Sequence, residues 1–135
     1  MTAPAPENIE KDGRQVRLLI GILFLFFSFL LTVLLVGLGS ERGWRLLIIF
    51  PWVICLLNLF QCRNGIDVIM AIRGFEDTTE GRRKIIDPQR ILLVQTLARR
   101  ITRQALLLAA LLTLLGLLIP PLDLERFSDL YYASP

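Results

Sequence analysis

Asn58, Cys55 and Cys62 are the residues whose chemistry stands out from their surroundings, because all three lie in or beside an apolar run. An amide in hydrocarbon needs hydrogen-bond partners, and Ser28, Thr32 and Thr113, from the other two apolar runs, have the right chemistry. Such an amide can line a solute path or fasten helices together. Asp, Glu, Lys and Arg are absent from all three apolar cores. Proton- and ion-coupled transport normally places a charge there, so the pattern argues against a pump or exchanger and favours interhelical glue. The cysteines are two helical turns apart, about 10.5 Å, too far for an intrachain disulfide. They read as structural thiols, with Cys62 beside Arg63 the weaker candidate for a reactive one.

The chain has no histidine, which removes the commonest zinc and haem ligand and the usual general base. G-x-S-x-G, Walker A, H-E-x-x-H, the dinucleotide glycine fingerprint and paired-cysteine motifs do not occur. The expectation is a non-enzyme with no cofactor and no metal.

Charge is the other chemical resource. Net charge is +3, with 15 Lys and Arg against 12 Asp and Glu. Nine of the basic residues lie between Arg63 and Arg103, three lie between Lys11 and Arg17, and Arg42, Arg45 and Arg126 complete the set. Arg82, Arg83, Lys84, Arg99, Arg100 and Arg103 are the candidates for contact with anionic lipid head groups or a partner. Nucleic acid is not expected, since the charges border apolar segments.

Those segments must position everything else. Leu18–Leu38 has 21 residues, no charge, no proline, and only Ser28 and Thr32 as polar side chains. It spans about 31 Å as a helix, matching a bilayer core. It is too long for a secretory signal core and lacks a small-x-small cleavage site. The second run, 44–61, is flanked by Trp44 as an interface anchor and Arg45 as a snorkelling charge, and Pro51 should kink it. The third, 104–119, stops at Pro120-Pro121.

Small and polar residues align within each span: Gly21, Ser28 and Thr32; Pro51, Cys55, Asn58 and Cys62; Ala105, Ala109, Thr113 and Gly116. Each set stays within a stripe about 80° wide. Lipid supplies no hydrophobic drive for helix association, so these stripes are expected to be the mutual packing faces of a three-helix bundle.

Between spans two and three, residues 62–103 read as a helical hairpin. Cys62–Arg73 can continue the second helix, with Gly74 as its cap, and Phe75–Ile86 is a polar turn whose charge flips from acidic to basic. Asp87-Pro88 is a helix start, and the pattern from Pro88 to Ile119 reads as one helix. Its first half carries a stripe of Leu93, Val94, Leu97, Ala98 and Ile101. This stripe packs on Ile66, Ile69 and Met70, or the half-helix lies flat on the membrane.

The fold class expected is an all-α membrane protein: three transmembrane helices with a cytoplasmic helical hairpin extending spans 2 and 3. Residues 1–16 form a flexible cytoplasmic tail, 17–122 the transmembrane domain, and 123–135 an external tail with Phe127, Tyr131 and Tyr132 for the head-group layer. Holding the N-terminus and the 63–103 loop inside gives twelve basic residues inside against three outside, the arrangement of a multi-pass plasma (inner) membrane protein with an external C-terminus. The function expected is an accessory, assembly or scaffold subunit, with membrane lipids and a larger membrane complex or further copies of itself as partners. The alternative is a protomer of an oligomeric pore or transporter, its path lined by Asn58, Thr32 and Thr113.

Overall fold

A computed structural model describes residues 6–120 and Tyr132. The chain is mostly helical: α1 (Lys11–Gly37), α2 (Arg42–Arg45), a 3₁₀ turn (Leu46–Ile48), α3 (Ile49–Asn64), α4 (Val68–Arg73), strands β1 (Phe75–Thr78) and β2 (Gly81–Lys84), and α5 (Pro88–Leu118). Three helical stretches, Lys11–Gly37, Arg42–Asn64 and Pro88–Leu118, are long and apolar enough to cross a membrane.

Local chemistry explains the boundaries. α1 runs uninterrupted until Gly39, whose left-handed φ of 66° lets Gly39 N–H reach Val36 O (3.1 Å) and Ser40 N–H reach Leu35 O (3.1 Å). This paired closure satisfies carbonyls that a helix end otherwise orphans. Pro51 has no N–H, and its ring would press on the carbonyl of Leu47 in a regular α-helix. The chain answers by winding Leu46–Ile48 as a 3₁₀ turn before α3 begins. Asp87 caps α5, its Oδ1 accepting from Gln89 N–H at 2.9 Å, with Pro88 in the first turn. At 31 residues α5 is about 46 Å long, roughly half as long again as a bilayer core.

α3 lies between α1 and α5. Leu56 of α3 packs with Ala105 and Ala109 of α5, and Trp52, Val53 and Phe60 flank them. On the α1 side the approach is closer still: a Cβ built on Gly21 would sit 2.6 Å from Leu59 Cδ2. A second core joins Ile66, Val68, Ala71 and Ile85 to Val94, Ala98 and Ile101 of α5, forming a cap at one end of the long helices.

The cap departs from the expected helical hairpin in three ways. α3 does not continue to Arg73: Gly65 takes a left-handed φ of 65°, and α4 restarts after Asp67. Restarting changes the helical phase, so Val68 and Ala71 face α5 while Ile69 is 59% exposed. On α5, Val94, Ala98 and Ile101 are buried and Leu93 is exposed.

The expected polar turn is an antiparallel hairpin, so the fold is not all-α. Glu76 faces Arg83 and Asp77 faces Arg82 across its strands. The acidic-to-basic flip in the sequence thus becomes cross-strand charge pairing around the Thr79–Glu80 turn.

The third departure is in the N-terminal segment. Asn8 and Ile9 are buried against the cap, and α1 begins at Lys11, within the stretch 1–16 expected to be a flexible tail. The expected external tail 123–135 lies outside the described residues except for Tyr132, which is exposed.

Candidate functional site

The cap is held by side chains that bridge segments far apart in sequence. Asp67 sits at its centre. One carboxylate oxygen caps α4 by accepting from Met70 N–H (3.0 Å), and the other pairs with the Arg17 guanidinium. Arg17 also donates to Asn58 Oδ1 at 3.2 Å, tying α1, α3 and α4 at one point. Asn8 completes the junction. Its Oδ1 accepts from Asp67 N–H (2.6 Å), and its Nδ2 donates to Asp67 O (3.1 Å) and Phe75 O (3.4 Å). Gln61 Oε1 accepts from Val68 N–H at 3.1 Å, satisfying a donor at the start of α4.

Glu76, whose side chain is only 6% exposed, joins the hairpin to α5: Arg83 reaches its Oε1 at 3.0 Å and Arg90 its Oε2 at 2.7 Å. Arg14 donates to Cys62 O (3.1 Å) and Glu7 Oε1 (3.1 Å). Of the six basic residues expected to contact lipid or a partner, only Arg83 has an acidic partner among the described residues. Among the described residues Arg82, Lys84, Arg99, Arg100 and Arg103 are exposed and have none.

At the opposite end, Arg45 is 2% exposed. It does not snorkel outward as its sequence position implied. Its Nη1 donates to Ile119 O (2.7 Å) and Gly116 O (3.4 Å), and its Nε to Ser40 O (3.1 Å). The cation sits where the last carbonyls of α5 lack helical partners and the helix dipole is negative.

The residues expected on packing faces fall into two groups. Gly21, Ser28, Cys55, Asn58, Ala105, Ala109, Thr113 and Gly116 are buried, and Thr32 is half-buried. Gly21 faces Leu59, while a Cβ built on Gly116 would lie 3.7 Å from Ile48 Cδ1 and 3.9 Å from Thr32 Cγ2. The polar members do not bond to one another across helices. Thr32 Oγ1 donates to Ser28 O, Thr113 Oγ1 to Ala109 O and Asn58 Nδ2 to Ile54 O, each within its own helix. Asn58 therefore pairs with Arg17 and with neither Ser28, Thr32 nor Thr113. The reason is axial: Gly21 is level with Leu59, and Ser28 lies about 10 Å further along α1.

Cys55 is buried and Cys62 half-buried, both as free thiols. Among the described residues no three His, Cys, Asp or Glu side chains gather as a metal site. What the arrangement does chemically is join: buried donors and acceptors hold the cap to the long helices, while a set of arginines faces outward. Comparison of the chain with protein families, curated proteins and solved structures gives no match.

Asn8, Arg17, Asp67, Glu76 and Arg45 carry this framework; the sequence pointed to Arg45 only as an outward snorkelling charge and to Glu76 only as part of a charge reversal, and to the joining role of none of the five. Asn64-Gly65 is a turn dipeptide, and an Asp two residues later is a helix-start signal, so the α4 restart had a readable trace. Asn8 had none, since its partners are mostly backbone groups some sixty residues away.

Proposed function

We propose that this chain is a non-catalytic multi-pass membrane protein, with its three long helices across the bilayer, that serves as an accessory, assembly or scaffold subunit of a membrane complex. The observation that carries the reading is how little of each apolar helix the fold itself covers. Only 17%, 39% and 28% of the most apolar stretches of Lys11–Gly37, Arg42–Asn64 and Pro88–Leu118 are buried. Leu19, Leu23, Phe26 and Phe29 of α1 point outward, as do Leu107, Leu111 and Leu118 of α5. Surfaces of that kind call for lipid or for the helices of another membrane protein.

The polar groups support a joining role. Among the described residues no buried side-chain nitrogen or oxygen lacks a hydrogen-bond partner. Each is committed to a helix end, a turn, an ion pair or a carbonyl of its own helix, leaving the outward faces for association. Twelve basic residues, Lys11 to Arg17 and Arg63 to Arg103, belong to the cap end. The positive-inside bias then assigns the cap to the cytoplasm and the α1–α2 turn to the exterior of a plasma (inner) membrane.

Gentle solubilisation from the native membrane followed by sizing and mass-spectrometric identification of co-purifying chains tests the proposal. The expected result is an assembly larger than the 15.4 kDa chain in its detergent or lipid belt, containing a second protein or further copies. A lone monodisperse monomer contradicts it.

A further inference from the structure

We infer that the groove between α4 and α5 is a binding site for an anionic phospholipid, with the lipid phosphate held by Arg99 and Arg103 and an acyl chain lying over Leu106 and Leu107. The inference deepens the membrane reading above and rests on it.

The groove has a volume of about 450 Å³ and is lined by Ile72 from α4 and by Ala98, Arg99, Arg103, Leu106 and Leu107 from α5. The groove itself is almost wholly apolar, with Arg99 and Arg103 lending it their aliphatic stems. The same two arginines, with Thr96 and Arg100, line an adjoining cavity, so the two together make an apolar half and a charged half. Arg99 and Arg103 are one helical turn apart, so their guanidinium groups can converge on one anion. Neither has an acidic partner among the described residues, unlike Arg17, Arg83 and Arg90, which are engaged inside the cap. Directly below them Leu106 and Leu107 are exposed and begin the apolar stretch of α5. Arg103 is only about 3 Å of helix rise from Ala105, so the charged half sits at head-group depth and the apolar half in hydrocarbon.

α4 forms the opposite wall. Ile72 is exposed on the cap, away from its core, and faces the same groove. A free anion would use the arginines and leave this wall and the leucines bare. A zwitterionic lipid would cover the leucines but bring its own ammonium group beside two arginines that lack an acidic partner among the described residues. A phospholipid of net negative charge matches both halves at once.

The test is native mass spectrometry of the full chain released from micelles containing equal amounts of dioleoylphosphatidylglycerol and dioleoylphosphatidylcholine. Wild type is expected to retain the anionic lipid with a preference of about tenfold, the order that two arginines beside an anionic head group provide. Arg99→Gln/Arg103→Gln should bring that preference close to parity. Lys11→Gln/Arg63→Gln removes the same charge from exposed positions outside the groove and should leave it unchanged. Millimolar inorganic phosphate should not displace the lipid. Equal retention of both lipids by wild type, equal losses in the two double variants, or displacement by phosphate would each overturn the site.

The membrane reading has its own readout, retention of wild type in pure phosphatidylcholine vesicles after a carbonate wash. Loss there refutes the reading beneath the proposal. Retention there without an Arg99/Arg103-dependent preference refutes the lipid site alone.

Discussion

Arg17, the residue before the apolar stretch of α1, forms an ion pair with Asp67, the residue that caps α4. One carboxylate thereby fixes where a long helix ends its polar prelude and where the cap begins. Asp67 is almost wholly buried and Arg17 partly so, so loss of the acid leaves a cation with only Asn58 for company.

Asp67→Asn keeps a side-chain oxygen for the Met70 N–H and removes the ion pair. It should lower stability by about 2 kcal/mol, below the cost of breaking a fully buried pair because Arg17 retains some solvent. Asp67→Ala also removes the helix cap and should cost about 1 kcal/mol more. Thermal unfolding in detergent, followed by circular dichroism, checks the order. Equal stability of Asp67→Asn and wild type would show that the pair contributes nothing.

Arg45 binds three carbonyls at the far end through a side chain that is almost inaccessible. Arg45→Gln is expected to destabilise by about 2–4 kcal/mol, since it orphans α5 carbonyls and removes a charge-assisted donor. Arg45→Lys keeps the charge but not the fork that spans Ser40 and Ile119, and should recover less than half of the loss. The same unfolding experiment separates the two variants.

Two glycines of α1 should respond with opposite sign. A Cβ on Gly21 would meet Leu59 Cδ2 at 2.6 Å and Cγ at 2.8 Å, whereas a Cβ on Gly37 would have nothing within 4 Å. Gly21→Ala should therefore cost about 1–2 kcal/mol through overpacking. Gly37→Ala should be neutral or stabilising by up to about 1 kcal/mol from helix propensity alone. Shortening the neighbour tests the mechanism: Leu59→Ala should reduce the penalty of Gly21→Ala in a double-mutant cycle.

The parts of this fold that were legible in the sequence are those where one physical signal dominates. Leu18–Leu38 is apolar on every side, and Asp87-Pro88 opens α5, because an apolar circumference and capping geometry are local properties. The α3–α4 break was hidden because Ile66, Ile69 and Met70 have the spacing of a helix that carries on. Gly65 overrides that spacing, and the inward positions become Ile66, Val68 and Ala71. The hairpin was half visible: Glu76, Asp77, Arg82 and Arg83 announced a charge reversal, and only the turn at Thr79–Glu80 converts it into paired strands.

Asn58 bonds to a residue other than those its position among apolar runs suggested. Its need for a hydrogen bond inside an apolar helix follows from amide chemistry. Which group answers depends on axial level, and at that level α1 offers Arg17, not its hydroxyls. The arginines Arg99, Arg100 and Arg103 were legible as an outward set because the helix is continuous through them.

The central claim is that three helices cross the bilayer with the arginine-bearing cap on the cytoplasmic side. Single cysteines at Glu80, in the hairpin turn, and at Glu41, in the turn between α1 and α2, test it in a background with Cys55→Ser and Cys62→Ser. Intact cells are treated with a membrane-impermeant maleimide and compared with opened cells. The account predicts that the Glu41→Cys chain labels on intact cells and the Glu80→Cys chain only after opening. Labelling of Glu80→Cys on intact cells, or recovery of the chain in the soluble fraction without detergent, would contradict it.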